Sequence, residues 1–267
     1  MSHPNAFAKF VGRLDLVIRD GRVRSHAYQL FPVDNTVPED PEVAYILEDY
    51  ERELNLAYDL DRVITTATED IRRFGTTGGD SPLGNLVAEA MQTRKYVETD
   101  FAVTNSLGIR TNILEGGVTV ETMFNVLPFE NTIATMFLSG SEVQELLDYA
   151  TRRAAGRGCA TQVQVSGISF TMNCRTGEAE KIVILGRALE PDSVYEMATN
   201  NYMAWGGSGF EMLKRNTTKK DTGIAIRNAV IDYLKPLETI PACLSEGDDG
   251  ECLHGIGYAD GRIAPAY

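Results

Sequence analysis

No apolar run in this chain approaches the roughly 20 residues that a helix needs to cross a bilayer, so no membrane span is read from it. Histidine is scarce: His3, His26 and His254 lie far apart. None stands in the D-x-H or G-N-H settings that gather two catalytic metal ions, and a lone histidine near cysteines is too few ligands for zinc. There is no G-x-S-x-G elbow, no Walker loop and no cysteine–histidine pair with an orienting partner. The opening residues, Met1 to Phe10, show no apolar core followed by a small-residue cleavage site, so no export signal is read there. Positive charge is in deficit: 25 Lys and Arg against 38 Asp and Glu leave −13. A field of that sign repels polyanions and argues against duplex nucleic acid or an anionic membrane as partner. It does not bar a small anion, because an arginine or two inside a cleft outweighs diffuse surface charge at short range.

What is present suits a globular protein. The 267 residues are 43% hydrophobic and 24% charged, enough for a sizeable core. Four cysteines form two local pairs, Cys159 with Cys174 and Cys243 with Cys252. They read either as two local disulfides, which require an oxidising compartment, or as buried thiols. The polar loop between Cys243 and Cys252 lacks the spacing of a twelve-residue calcium loop.

Residues 10–33 alternate as short strands around an Asp20-Gly21 turn. Residues 42–57 predict an amphipathic helix with Val43, Ile46, Leu47, Tyr50 and Leu54 on one face. A strand pair and a lone helix are too little to fold alone, so this leading section is expected to complete something larger. Beyond it, strands and helices alternate. Ser81-Pro82 marks a helix start, residues 101–104 a strand, Thr119 the cap of a short helix through Phe124, and residues 132–138 a strand. Ser141 with Gln144 reads as a capping box for a helix that buries Val143, Leu146, Leu147 and Ala150. Strands are expected at 163–172, 181–185 and 194–199, and a last helix at 222–234. The alternation argues α+β or α/β with a mixed sheet, and α+β, a mixed sheet with flanking helices, is the class expected.

Three segments at strand ends stand out: NSLGIR at 105–110, LPFEN at 127–131 and NYMAWGGSGF at 201–210. Singly each is ordinary. Phe129 after a proline suits a core plug, Gly206-Gly207 a turn, Arg110 a surface charge. Together with SPLGNLVAEA at 81–90 and QVSG at 164–167, in this order over residues 62–240, they make the chain resemble the C-terminal domain of the 5′-nucleotidase family. That family includes UDP-sugar hydrolases and 2′,3′-cyclic-nucleotide phosphodiesterases.

The resemblance implies a nucleotide- or nucleoside-binding domain at 61–267. Residues 1–40 are implied to be the closing strands and connector of an N-terminal metallophosphatase domain, and 41–60 an interdomain helix. Phe129 and Tyr202 match the two rings that sandwich the base; Asn105 matches an asparagine against the base and Arg110 an arginine on the phosphate. Asn131 matches a further base contact, and Gly207 and Ser208 lie in the loop facing the sugar. Family hydrolysis uses two divalent metals on the N-terminal domain, so this chain is expected to carry no cofactor, no metal ligand and no catalytic residue. The resemblance and the cysteines imply a periplasmic or extracellular home. Departures are Ser106 and Leu107 where the family has glycine, Ser208 for its aspartate, and Thr77 for an arginine, with Arg72 and Arg73 nearby as replacements. Such changes leave open a non-catalytic interaction module with an altered pocket.

Overall fold

A computed structural model describes residues 9–246 and 252–267; the side chains at 243–246 and 252–254 lie outside that description. The chain divides into two units, Met1–Ala57 and Tyr58–Tyr267. In the first, β1 (Phe10–Arg19) and β2 (Arg22–Pro32) pair antiparallel with Leu14 opposite Tyr28. Asp20 and Gly21, at φ 53° and 69°, supply the left-handed pair that a tight hairpin turn demands. Leu14, Leu16, Ile18, Tyr28 and Leu30 are all exposed. Next, α1 (Pro41–Tyr58) starts at Asp40, whose carboxylate accepts the Glu42 and Val43 amides. Its apolar stripe Val43, Ile46, Leu47, Tyr50 and Leu54 is exposed as well.

The second unit opens with β3 (Val63–Ala67) and α2 (Pro82–Gln92). The Ser81 hydroxyl accepts the Gly84 amide, and Pro82 takes the first helical position, where its missing N–H costs nothing. Then come β4 (Phe101–Asn105), a 3₁₀ turn at Ser106–Gly108, β5 (Gly116–Thr119), α3 (Val120–Val126) capped by Thr119, and β6 (Thr132–Ser139). The next helix, α4 (Gly140–Ala155), is capped by Ser139 and Glu142 rather than by Ser141 and Gln144. Ser139 is the last extended residue, so its oxygen is the one that reaches the N3 amide, while Gln144 bonds Asp148 and the Ala179 carbonyl.

The expected strand at 163–172 is two strands, β7 (Val163–Ser166) and β8 (Ile168–Asn173), in different sheets. Gly167 between them has φ 73°, and a Cβ there would overlap the Asp100 carbonyl and Gln92, so only glycine makes this corner. The chain continues through β9 (Glu178–Ile184), β10 (Arg187–Ala188), β11 (Val194–Asn200), α5 (Asn201–Ala204), α6 (Glu211–Arg215) and β12 (Lys220–Ala225). The last helix, α7 (Ile226–Leu234), starts four residues later than its apolar pattern suggests. Residues 220–225 are claimed by pairing with β6, with the Thr222 hydroxyl on the Ile133 carbonyl. Short strands β13 (Thr239–Ile240), β14 (Ala242–Glu246), β15 (Cys252–Ile256) and β16 (Ile263–Ala266) complete the unit.

A five-stranded mixed sheet, ordered β12-β6-β11-β4-β7, forms the centre. Side chains alternate across it as a pleat requires. Ala102, Ile133 and Ala198 join one apolar cluster with α2, α3 and α7. Phe101, Val103, Ala134 and Met197 join the other, with α4, β8 and β9. Cys159 and Cys174 form a disulfide across 15 residues, tying the end of α4 to the end of β8; closing a loop of that length is worth about 3 kcal/mol in the chain-entropy view. A pairing of Cys243 with Cys252 falls on side chains outside the described residues.

Candidate functional site

Strand directions explain why three distant segments meet. β4 and β11 run parallel, and β6 lies antiparallel beside β11 with Asn200 opposite Ile133. The carboxyl ends of β4 and β11 and the start of β6 therefore open on one edge of the sheet, where loops are free of the ladder and able to face a ligand. A cavity of about 320 Å³ lies there, lined by Asn105, Arg110, Phe129, Asn131, Tyr202 and Ser208, with Leu107 and Gly108. Six of the seven site residues singled out in the sequence thus share one space.

The seventh, Gly207, is not in the lining. A Cβ on it would fall 2.4 Å from the Tyr202 carbonyl and 2.6 Å from its ring, so this glycine is what lets the ring lie where it does. Phe129 and Tyr202 are 49% and 51% exposed, which leaves ring surface open to a flat ligand. Asn105 is buried at the end of β4, and Ser208 sits in the left-handed region at φ 55°.

Phe129 is held by a residue that sequence reasoning missed. Arg227, 6% exposed on α7, donates to the Leu127 carbonyl at 2.9 Å and to Glu130 at 2.8 Å. Its guanidinium stacks on Phe124, 3.6 Å from the ring centre. The Ile226 amide donates to the Asn131 carbonyl at 2.9 Å. The LPFEN loop is therefore clamped at both ends by the start of α7. An arginine on an amphipathic helix carries no local mark of this duty.

Arg110 donates to the Leu107 carbonyl at 3.2 Å, and its guanidinium carbon lies 5.8 Å from the centre of the Phe129 ring. Of the upstream arginines, Arg73 reaches this loop: it donates to the Ile109 and Arg110 carbonyls at 2.9 and 2.8 Å. Burial, and then the nearby charge of Arg110, pull its pKa below the usual arginine value. Arg72 is exposed, and its carbonyl accepts the Leu83 amide. Thr77 is exposed outside the cavity and accepts the Gly79 amide. Ser106 does not crowd the space either. It is buried and accepts from Gln164, which also accepts from the Ser81 amide and hydroxyl. The 81–90 and 164–167 segments are thereby scaffold: a Cβ on Gly84 would come 2.1 Å from Gln164. Leu107 does line the cavity.

The lining offers ring faces, carboxamides, the hydroxyls of Ser208 and Tyr202 and a guanidinium, and no carboxylate, imidazole or thiol. Among the described residues no three His, Cys, Asp or Glu side chains are grouped to hold a metal ion.

Comparison with known proteins gives this geometry its context. The family model described as 5′-nucleotidase, C-terminal domain, matches residues 63–215. The trifunctional nucleotide phosphoesterase protein YfkN of Bacillus subtilis (strain 168) is 28% identical over 244 residues, which are 86% of this chain and 17% of that protein. A 5′-nucleotidase of Vibrio vulnificus (strain CMCP6) is 27% identical over 250 residues, 86% of this chain and 43% of the relative. The crystal structure of a 5′-nucleotidase precursor from Thermus thermophilus superposes with a TM-score of 0.78 and 26% identity, over 96% of this chain and 50% of the other. The chain thus spans half the length of these relatives or less. The match at 63–215 takes in more than half of the 267 residues, and the chain belongs to the 5′-nucleotidase C-terminal domain family.

Proposed function

We propose that this chain recognises a nucleotide or nucleoside as the substrate-binding part of a 5′-nucleotidase-type phosphate-ester hydrolase. One observation carries this reading: two half-exposed rings, Phe129 and Tyr202, line one cavity with two carboxamides and a guanidinium. Base–aromatic stacking contributes about 1–3 kcal/mol per base, and Arg110, with Arg73 beside it, offers the positive field that a phosphate relieves. Hydrolysis belongs to an N-terminal metallophosphatase domain with two divalent metals, against which binding energy gathered from the base positions the phosphate. The exposed apolar surfaces within residues 9–40 and of the helix within 41–60 are what such a domain would cover. The Cys159–Cys174 disulfide accords with a periplasmic or extracellular location.

Calorimetry with AMP, adenosine and UDP-glucose tests the reading. Phe129→Ala and Tyr202→Ala should each weaken binding by about 5- to 150-fold, the equivalent of one stacked ring. Arg110→Ala should erase any advantage of AMP over adenosine. Silence with all three ligands would favour a non-catalytic interaction module, for which Leu107 in the lining is the supporting observation.

A further inference from the structure

We infer that Asn200 fixes the hydrogen-bonding polarity of the cavity, committing the Asn105 carboxamide to donate into it, so that the site selects a ligand edge bearing a lone pair. This rests on the nucleoside reading above for its ligand, but not for its geometry. Asn200 is 1% exposed and caps α5, its Oδ1 accepting the Met203 backbone amide at 2.8 Å. A backbone N–H can only donate, so this contact decides which end of the Asn200 carboxamide is oxygen. Its Nδ2 must then find acceptors. It donates to the Thr104 hydroxyl oxygen at 3.0 Å and to Asn105 Oδ1 at 2.7 Å.

Asn105 is thereby oriented in turn, oxygen inward. Rotating it by half a turn would oppose its Nδ2 to that of Asn200, two donors with no acceptor between them. Among the described residues its Nδ2 has no protein partner, and Asn105 lines both the cavity described above and a second space of about 20 Å³ that shares Gly108, Phe129 and Asn131 with it. What remains for a ligand at this point is N–H. A ring nitrogen or carbonyl oxygen is accepted there, and a ring N–H or amino group is refused. Adenosine and inosine exchange these roles at positions 1 and 6, so a relay facing that edge tells them apart. Asn200 is a positioning residue, since it acts only through Asn105.

Two measurements test it. In the ligand-free protein, hydrogen exchange of assigned side-chain amides should find the Asn200 NH₂ pair slow and the Asn105 pair fast; the reverse order overturns the relay. Asn200→Asp, studied at pH 8 to keep the carboxylate ionised, still accepts the Met203 amide but now presents an acceptor to Asn105 and turns it over. The adenosine-to-inosine affinity ratio should then move about tenfold towards the ligand that the parent protein disfavours, a neutral hydrogen bond gained by one and lost by the other. Equal weakening of both nucleosides, with the Asn105 NH₂ pair still exchanging fast in the variant, overturns the relay and leaves Asn200 a mere cap. Should Asn200→Asp fail to fold, Asn105→Asp must shift the ratio the same way, because one oxygen still accepts from Asn200 while the other replaces the NH₂. No heat from either nucleoside with the parent protein would sink the nucleotide reading instead, and the exchange order would still decide the relay.

Discussion

Ser208 occupies left-handed backbone at φ 55° and ψ 17°, a region that aspartate and asparagine tolerate better than serine. It lines the cavity, at the position where the resemblance implies an aspartate facing the sugar. Ser208→Asp should therefore tighten adenosine about tenfold through charge-assisted hydrogen bonds, and 2′-deoxyadenosine distinctly less. An equal gain for both, measured by calorimetry, would show that position 208 does not face the ribose. The neighbouring glycines are legible in the sequence only as a turn. That Gly207 makes room for the Tyr202 ring depends on the 2.4–2.6 Å a Cβ would leave, which no local pattern records. Likewise Ser106 reads as a departure at the site, yet its side chain turns away to Gln164.

At the scale of elements, the LPFEN loop is only as well placed as α7 makes it. Arg227→Met keeps an apolar stem on Phe124 but leaves the Leu127 carbonyl without its donor, a loss of about 1–3 kcal/mol in stability. Adenosine binding should weaken in step, and the same change in a Phe129→Ala background should cost little further affinity. A double-mutant cycle measures that coupling; additive losses would mean that Arg227 supports the fold without positioning the ring. Helix faces are readable from apolar spacing throughout α2, α4 and α7. Their starts are less so. The two serines at 139 and 141 both suit a cap, and the choice falls to the one that is extended when β6 ends. Residues 222–225 suit a helix until β6 offers them ladder partners.

For the molecule as a whole, the proposed function assigns binding to the cavity and hydrolysis to another domain. With Mn²⁺, Zn²⁺ or Co²⁺ added, the chain should release no phosphate from AMP in a colorimetric assay. Turnover that survives chelators would show that it carries a catalytic group of its own. The apolar faces of the leading hairpin and α1 follow strand and helix periods faithfully, yet none of α1 is buried.

Local patterning sufficed for most elements and narrowed the fold class to a mixed sheet with helices, because periodicity, caps and turns are encoded within a few residues; the three segments at the site are singly ordinary and stood out only through their joint resemblance to a family. Tertiary structure alone decided that Asn105, Phe129 and Tyr202 share one space, since that follows from β4 and β11 running parallel with β6 reversed beside them. It also chose Arg227 as the clamp and Arg73 over Arg72 as the second guanidinium at the loop. Those are long-range contacts, and side chains of the same kind differ in role only by what packs against them.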